Sequence, residues 1–305
     1  MSRWYICIAF IMVSLGLEAQ LEPLSDQYLL NTLIINPAYA GSREALSLSL
    51  QHRNQWTGFE GAPKTSTLAM HAPLRNEKVG LGFMFQDDRR GITATRVISG
   101  HFAYRIPMNQ GTLSFGLGAG MSIFRNKWEE LVAIDQDDAL LRDNSPSYIQ
   151  PNFSLGTYYA TDRLFVGLSI PMFLSHNYNT TSGNFELVND YQQYNYLLHG
   201  GYLFTLSPRW KILPSALIRY SPASKPQADL NSFLIFYDKF WLGFSYRSNK
   251  SLIGHLVYQV NNQLSLAYSY DMGLGKVGGY LGGSHEITLR YDFRYLIDVI
   301  DPRYF

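Results

Sequence analysis

The sequence predicts an all-β fold: a transmembrane, antiparallel, up-and-down outer-membrane β-barrel of about 14 strands. Segment after segment alternates apolar residues with small or polar ones. Short, turn-rich junctions alternate with long ones. Only 16% of the 305 residues are charged, below the roughly 25% of soluble domains.

The stretch Thr112 to Phe124 shows the alternation most clearly. Leu113, Phe115, Leu117, Ala119, Met121 and Ile123 share one face, and Ser114, Gly116, Gly118, Gly120 and Ser122 the other. The same period runs through 45–52, 79–86, 164–170, 264–270 and 286–294. It is weaker in 64–73, 93–106, 148–160, 190–206, 209–220, 229–238, 240–247 and 251–260, which completes the set of 14. Every second junction is tight: LRNEK, PMNQG, TDR, SPR, DKF and NNQ. The others, at 53–63, 125–147, 173–189, 221–228 and 271–284, are longer, although the junction near Ser248 is short. Outer-membrane barrels show this asymmetry, with short turns in the periplasm and longer loops outside. QDDRRGI, 86–92, falls in a predicted outward loop, either paired with itself or a contact patch.

So many strands close into a cylinder wider than their own side chains can fill. A soluble sandwich or propeller would turn the apolar faces inward, but the scarcity of charge favours lipid outside and a polar lumen. Closure also satisfies every ladder hydrogen bond, as lipid requires. Trp210 and Trp241 lie beside short turns, where a periplasmic aromatic girdle is expected. The lumen should receive Ser47, Ser49, Gln51 and Arg53 from the first strand, and Glu286, Arg290, Asp292 and Arg294 from the last. Gly116, Gly118 and Gly120 also face inward. Either a loop or the N-terminal segment packs on that stripe, or the glycines only permit curvature.

Residues 1–19 read as a secretory signal peptide: Arg3, then an apolar run over 4–17 that is short for a span. The only cysteine, Cys7, lies within it, so the mature chain has no thiol chemistry. Residues 20–43 form a segment before the barrel, 44–296 the barrel and 297–305 a C-terminal tail. The segment QLEPLSDQYLLNTLIINPAYAGS is too apolar for a loose tail. It should pack on the periplasmic rim, enter the lumen or meet a partner. NPAYAGS is a bend, with Pro37 and Gly41 shaping it and Tyr39 as an anchor.

Charge is nearly balanced, 25 Lys and Arg against 24 Asp and Glu, which gives no basis for nucleic-acid binding. No enzyme motif survives inspection. His285-Glu286 has no second His at metalloprotease spacing. Ser99 and His101 share a face, but that face is lumenal, beyond reach of a lipid substrate. Asp135, Asp137, Asp138 and Asp143 in the loop 134–144 lack a calcium-ligand pattern and read as a solvated loop. Asn179-Thr180-Thr181 is a sequon by spacing only. No cofactor or metal is expected.

Several separated motifs nevertheless point to one family. They are the NPAYAG box (Asn36, Pro37, Tyr39, Gly41), the R-x-QW-x-G run (Arg53, Gln55, Trp56, Gly58) and GAP-x-T (Gly61, Pro63). With VGLGFMFQDDRRGIT and SHEITLRYDF, the chain resembles the PorP/SprF family of type IX secretion proteins. The resemblance implies an integral outer-membrane barrel of the Bacteroidota without enzymatic activity. It also implies association with the type IX translocon, periplasmic ring lipoproteins and outer-membrane lipid. The expected cargo is a secreted protein or gliding adhesin with a C-terminal sorting domain. The motif residues are candidates for partner contact or structure, as is Trp128. Trp56, Phe59 and Trp128 sit in outward loops and are either interface anchors or part of the outer girdle. The rival readings are a transport pore for small or hydrophobic solutes and a barrel enzyme.

Overall fold

The computed structural model describes residues 25–75, 77–128, 145–179, 184–188, 190–274 and 282–293. The signal segment, the acidic loop 134–144, Thr180 and Thr181, Arg294 and the tail lie outside the described residues.

Among the described residues, seventeen strands run in chain order. They are β1 (Leu46–Asn54), β2 (Lys64–Pro73), β3 (Val79–Arg90), β4 (Thr93–Met108), β5 (Gly111–Asn126) and β6 (Tyr148–Ala160). β7 (Leu164–Ile170), β8 (Ser175–Asn179), β9 (Asn184–Val188), β10 (Tyr196–Tyr202), β11 (Phe204–Thr205) and β12 (Trp210–Tyr220) follow. β13 (Gln227–Phe236), β14 (Phe240–Arg247), β15 (Ser251–Gln259), β16 (Leu264–Gly273) and β17 (Ser284–Phe293) complete the set. Each barrel strand pairs antiparallel with its sequence neighbour, and β1 pairs with β17. β10 joins β7 to β12, and β11 continues β10 along β12. β8 and β9 form a separate hairpin. The result is a closed barrel of 14 strands.

The period-two pattern maps onto the wall as expected. Leu117 and Leu256 are 56% and 58% exposed on the outside, whereas Ser47 and Ser269 inside are 2% and 0% exposed. Strand alternation forces this: neighbouring side chains must point to opposite faces.

Three expectations need correction. The segment 190–206 is not one strand. Tyr191–Gln193 form a 3-10 turn capped by Asp190, which accepts from the Gln192 amide, and pairing begins only at Tyr196. QDDRRGI is not a loop. β3 continues through Arg90, and only Gly91 and Ile92 turn the chain, Gly91 with φ +55°. Ion pairs from Asp87 to Arg89 and Arg96, and from Asp88 to Arg90, let these charged residues continue the ladder. Trp241 does not join a girdle. It is buried in the lumen, edge-on to Phe233, because Phe240 and Leu242 take the outward positions of β14. Trp210 does face outward.

Candidate functional site

The described residues 25–45 lie inside the barrel. The first strand starts at Leu46 near the short-turn end, so this segment descends the lumen before the wall begins. Its upper part is held by charge. Asp26 pairs with Arg53 and, at 3.1 Å, with Arg247. Arg53 also reaches Glu286 at 2.9 Å and Asp271 at 3.0 Å, and Arg247 reaches Asp229 at 3.0 Å. The Asp26 amide donates to Glu286 at 2.8 Å, and the Gln27 side chain donates to Ser269 and to the Glu286 carbonyl. Buried charges persist only when paired and hydrogen-bonded, and this network meets that condition across five strands and the segment. Tyr28 adds a hydroxyl contact to Asn231.

Lower down the contacts turn apolar. Leu30, Leu33 and Tyr39 pack with Leu213, Phe233, Ile235, Trp241 and Val257 from the wall, forming a hydrophobic core inside the barrel near the short turns. Thus the lumen closes as a soluble domain does, by burying apolar area.

The NPAYAG box makes the tightest contacts. The Asn36 carboxamide oxygen accepts from the Ala38 amide at 3.0 Å, and its nitrogen donates to the Thr157 carbonyl at 2.9 Å. Pro37 opens the 3-10 turn Pro37–Tyr39. Tyr39 is edge-on to His71 and Tyr158, with centroids 5.2 and 5.4 Å away. Gly41 has φ +78°, and its amide donates to His71 Nδ1 at 3.1 Å. A side chain on Gly116 would strike the backbone of Ala38 and Pro37, so this glycine admits the segment. Gly118 and Gly120 instead lie against side chains and backbone of adjoining strands. Arg43 closes the segment with a bidentate pair to Asp292, at 3.2 and 2.8 Å.

The other motif residues lie apart from the box. Arg53 belongs to the central ion network. Gln55 and Pro63 pinch the β1–β2 loop, the Gln55 amide donating to the Pro63 carbonyl at 2.9 Å. Trp56 is half-buried with φ +50°, and its amide donates to Ser284 at 3.3 Å. Gly58 and Gly61 turn the loop with φ +95° and +73°. The Gly61 carbonyl accepts from the Gly91 amide at 2.8 Å, tying this loop to the β3–β4 turn. Phe59 stands 58% exposed at the loop tip, and Trp128 is half-buried just past β5.

Above the segment lies an outward cavity of about 470 Å³. Leu33, Ile35 and Pro37 form its floor, Gln86, Asp88, Gln150 and Asn152 its polar wall, and Met172 and Leu174 part of its rim. Ser99 Oγ lies 2.9 Å from His101 Nε2 within it. The His101 Nδ1 has no hydrogen-bond partner, and Gly118 lies beside it, so no carboxylate orients the imidazole as a Ser–His–acid triad requires.

Nothing in the residue order alone marks Asp26, Asp229, Arg247 and Asp271 as members of one network. A lone Asp in an otherwise apolar segment was the available signal for Asp26. Its partners lie on strands distant in sequence, so spacing could not reveal them.

A closed strand cylinder with an apolar outer face and a filled lumen defines an integral outer-membrane β-barrel protein. Solved barrels share the architecture. The toluene transporter TbuX of Ralstonia pickettii is similar over 86% of this chain and 93% of its own, with TM-score 0.54 and 10% identity. The Acinetobacter baumannii outer membrane protein Omp33 is similar over 83% of this chain and 98% of its own, with TM-score 0.49 and 9% identity. No curated protein sequence matches. The family model described as "Type IX secretion system membrane protein PorP/SprF" matches residues 17–291. The chain belongs to that family: it is a membrane component of type IX secretion, associated with the secretion system and with membrane lipid.

Proposed function

We propose that this barrel is a sealed, non-enzymatic docking platform that supports export, surface attachment, or both, of a large secreted protein with a C-terminal sorting domain, such as a gliding adhesin. One observation carries the reading. The chain's own residues 25–45 occupy the lumen and are clamped by buried ion pairs, which leaves the two barrel ends as contact surfaces. On the outward end, Phe59 stands exposed and Trp56 half-buried on a loop braced against the β3–β4 turn, and an exposed aromatic on a braced loop suits interface anchoring. The short-turn end would meet the periplasmic ring lipoproteins, and the wall the translocon. On this reading the NPAYAG box is structural, while Trp56, Phe59 and Trp128 make contact.

Deleting the gene and measuring both the secreted proteome and the surface-held adhesin tests the proposal. Loss of one large exported protein from the surface is expected. Normal export and normal attachment would overturn it. The rival reading, a pore for small or hydrophobic solutes, draws on the outward cavity. Solute uptake by liposomes carrying the purified barrel would favour it.

A further inference from the structure

Outside the barrel, at the long-loop end of β2–β5, the lipid-facing surface changes character within one row of residues. Leu68, Phe85, Ile98 and Met121 face one another across the four strands and are all apolar. One step outward the row reads Ser66, Asp87, Arg96, Ile123. The next reads Lys64, Arg89, Ala94, Arg125. Four cations against one carboxylate thus lie side by side on neighbouring strands.

Their height is informative. The outward side chains of β4 from Met108 to Ile98 are uncharged, apolar or glycine apart from the amphipathic Tyr104. Ten steps of about 3.4 Å, tilted about 40°, rise about 26 Å, which matches the roughly 25 Å apolar band of such barrels. Arg96 therefore emerges where acyl chains give way to headgroups, in the leaflet opposite the short periplasmic turns.

The local geometry suits phosphate. Asp87 accepts from Nε of both Arg89 and Arg96 at 3.0 Å, holding the two guanidiniums together. Both bonds use Nε, which leaves the terminal nitrogens to an added ligand, and the two side chains are 64% and 58% exposed. Guanidinium forks match phosphate oxygens bidentately. Lys64 and Arg125, three strand spacings apart, extend the row to about 14 Å, room for a headgroup with two phosphates. The neighbouring β1–β2 loop contributes one carboxylate, the exposed Glu60.

We propose that Lys64, Arg89, Arg96 and Arg125 form a lateral binding site for the phosphorylated headgroup of an outer-leaflet glycolipid. The inference rests on the barrel's placement in the outer membrane and is independent of any cargo role.

The test titrates the intact, detergent-purified barrel with bisphosphorylated lipid A, with dephosphorylated lipid A and with inorganic phosphate, counting bound lipid by native mass spectrometry. Bisphosphorylated lipid A should bind, and the double variants Arg89→Ala/Arg96→Ala and Lys64→Ala/Arg125→Ala should each weaken it about tenfold or more, as expected for lost charge-assisted contacts. Lys239→Ala, an exposed cation on a short turn, should leave binding unchanged. Equal binding of dephosphorylated lipid, unaltered binding by both double variants, or an equal loss in Lys239→Ala would overturn the site. Inorganic phosphate binding as tightly as the lipid would overturn the glycolipid assignment. Folding of each variant is verified by its heat-modifiable gel migration.

Discussion

Arg53 of the first barrel strand meets Asp26 of the N-terminal segment inside the lumen, in a contact from which both side chains exclude water almost completely. The same guanidinium serves Glu286 and Asp271. Three carboxylates therefore depend on one cation, and two of them, Asp26 and Asp271, also reach Arg247.

Arg53→Ala should destabilise the barrel by about 3–5 kcal/mol, since it leaves buried carboxylates uncompensated. Asp26→Asn should cost less, because Glu286 and Asp271 still hold Arg53. Denaturant unfolding in lipid vesicles checks the order.

The filled lumen predicts little steady conductance in planar bilayers. Gly116→Val places a side chain against Ala38 and Pro37, so the segment must shift while the wall strands remain paired. Larger or flickering conductance from this folded variant is expected, and a wild-type protein with a large steady conductance would contradict the arrangement.

Asn36→Ala removes two hydrogen bonds at a fully buried site, one of them to the wall at Thr157. A loss of about 1–3 kcal/mol should follow. Limited proteolysis should then cut the N-terminal segment sooner than in the wild type.

Leu117→Arg tests the lipid-facing assignment. Leu117 sits near the middle of the apolar run Leu113–Ile123 on β5 and is 56% exposed. An arginine at the bilayer midplane should cost about 2–4 kcal/mol in lipid vesicles. In a soluble fold an exposed Leu→Arg change would usually stay within about 0.5 kcal/mol.

Phe59→Asp should leave stability within about 0.5 kcal/mol, as an exposed loop-tip change does. Surface retention of the exported protein should nevertheless fall if Phe59 is an anchor. Whole-cell immunolabelling of that protein, beside the purified variant's unfolding curve, separates the two effects.

Much of this architecture was legible from residue order because period two is a local property. Alternation at 112–124 named the lipid face of β5, and Ser47, Ser49, Gln51 and Arg53 were placed in the lumen, where they lie. The junctions were legible wherever Gly, Pro, Asn and Asp mark a turn. Boundaries slipped where a different interaction overrode that signal. Charge pairing along β3 and across the ladder from Asp87 to Arg96 carries β3 through Arg90, and the cap from Asp190 delays β10. Trp241 lies beside a turn yet faces the lumen, because position beside a turn says nothing about the face.

Residue order alone determined that this chain forms a wall of alternating faces, and its motifs named the family to which it belongs. Only the tertiary structure decided what fills that wall. The N-terminal segment lies in the lumen because Asp26 finds Arg53 and Arg247, Arg43 finds Asp292, and Gly116 leaves room for Ala38. Those partners are separated in sequence by as many as 249 positions. Charge pairing and close packing depend on distance in space, and only closure of the barrel sets that distance.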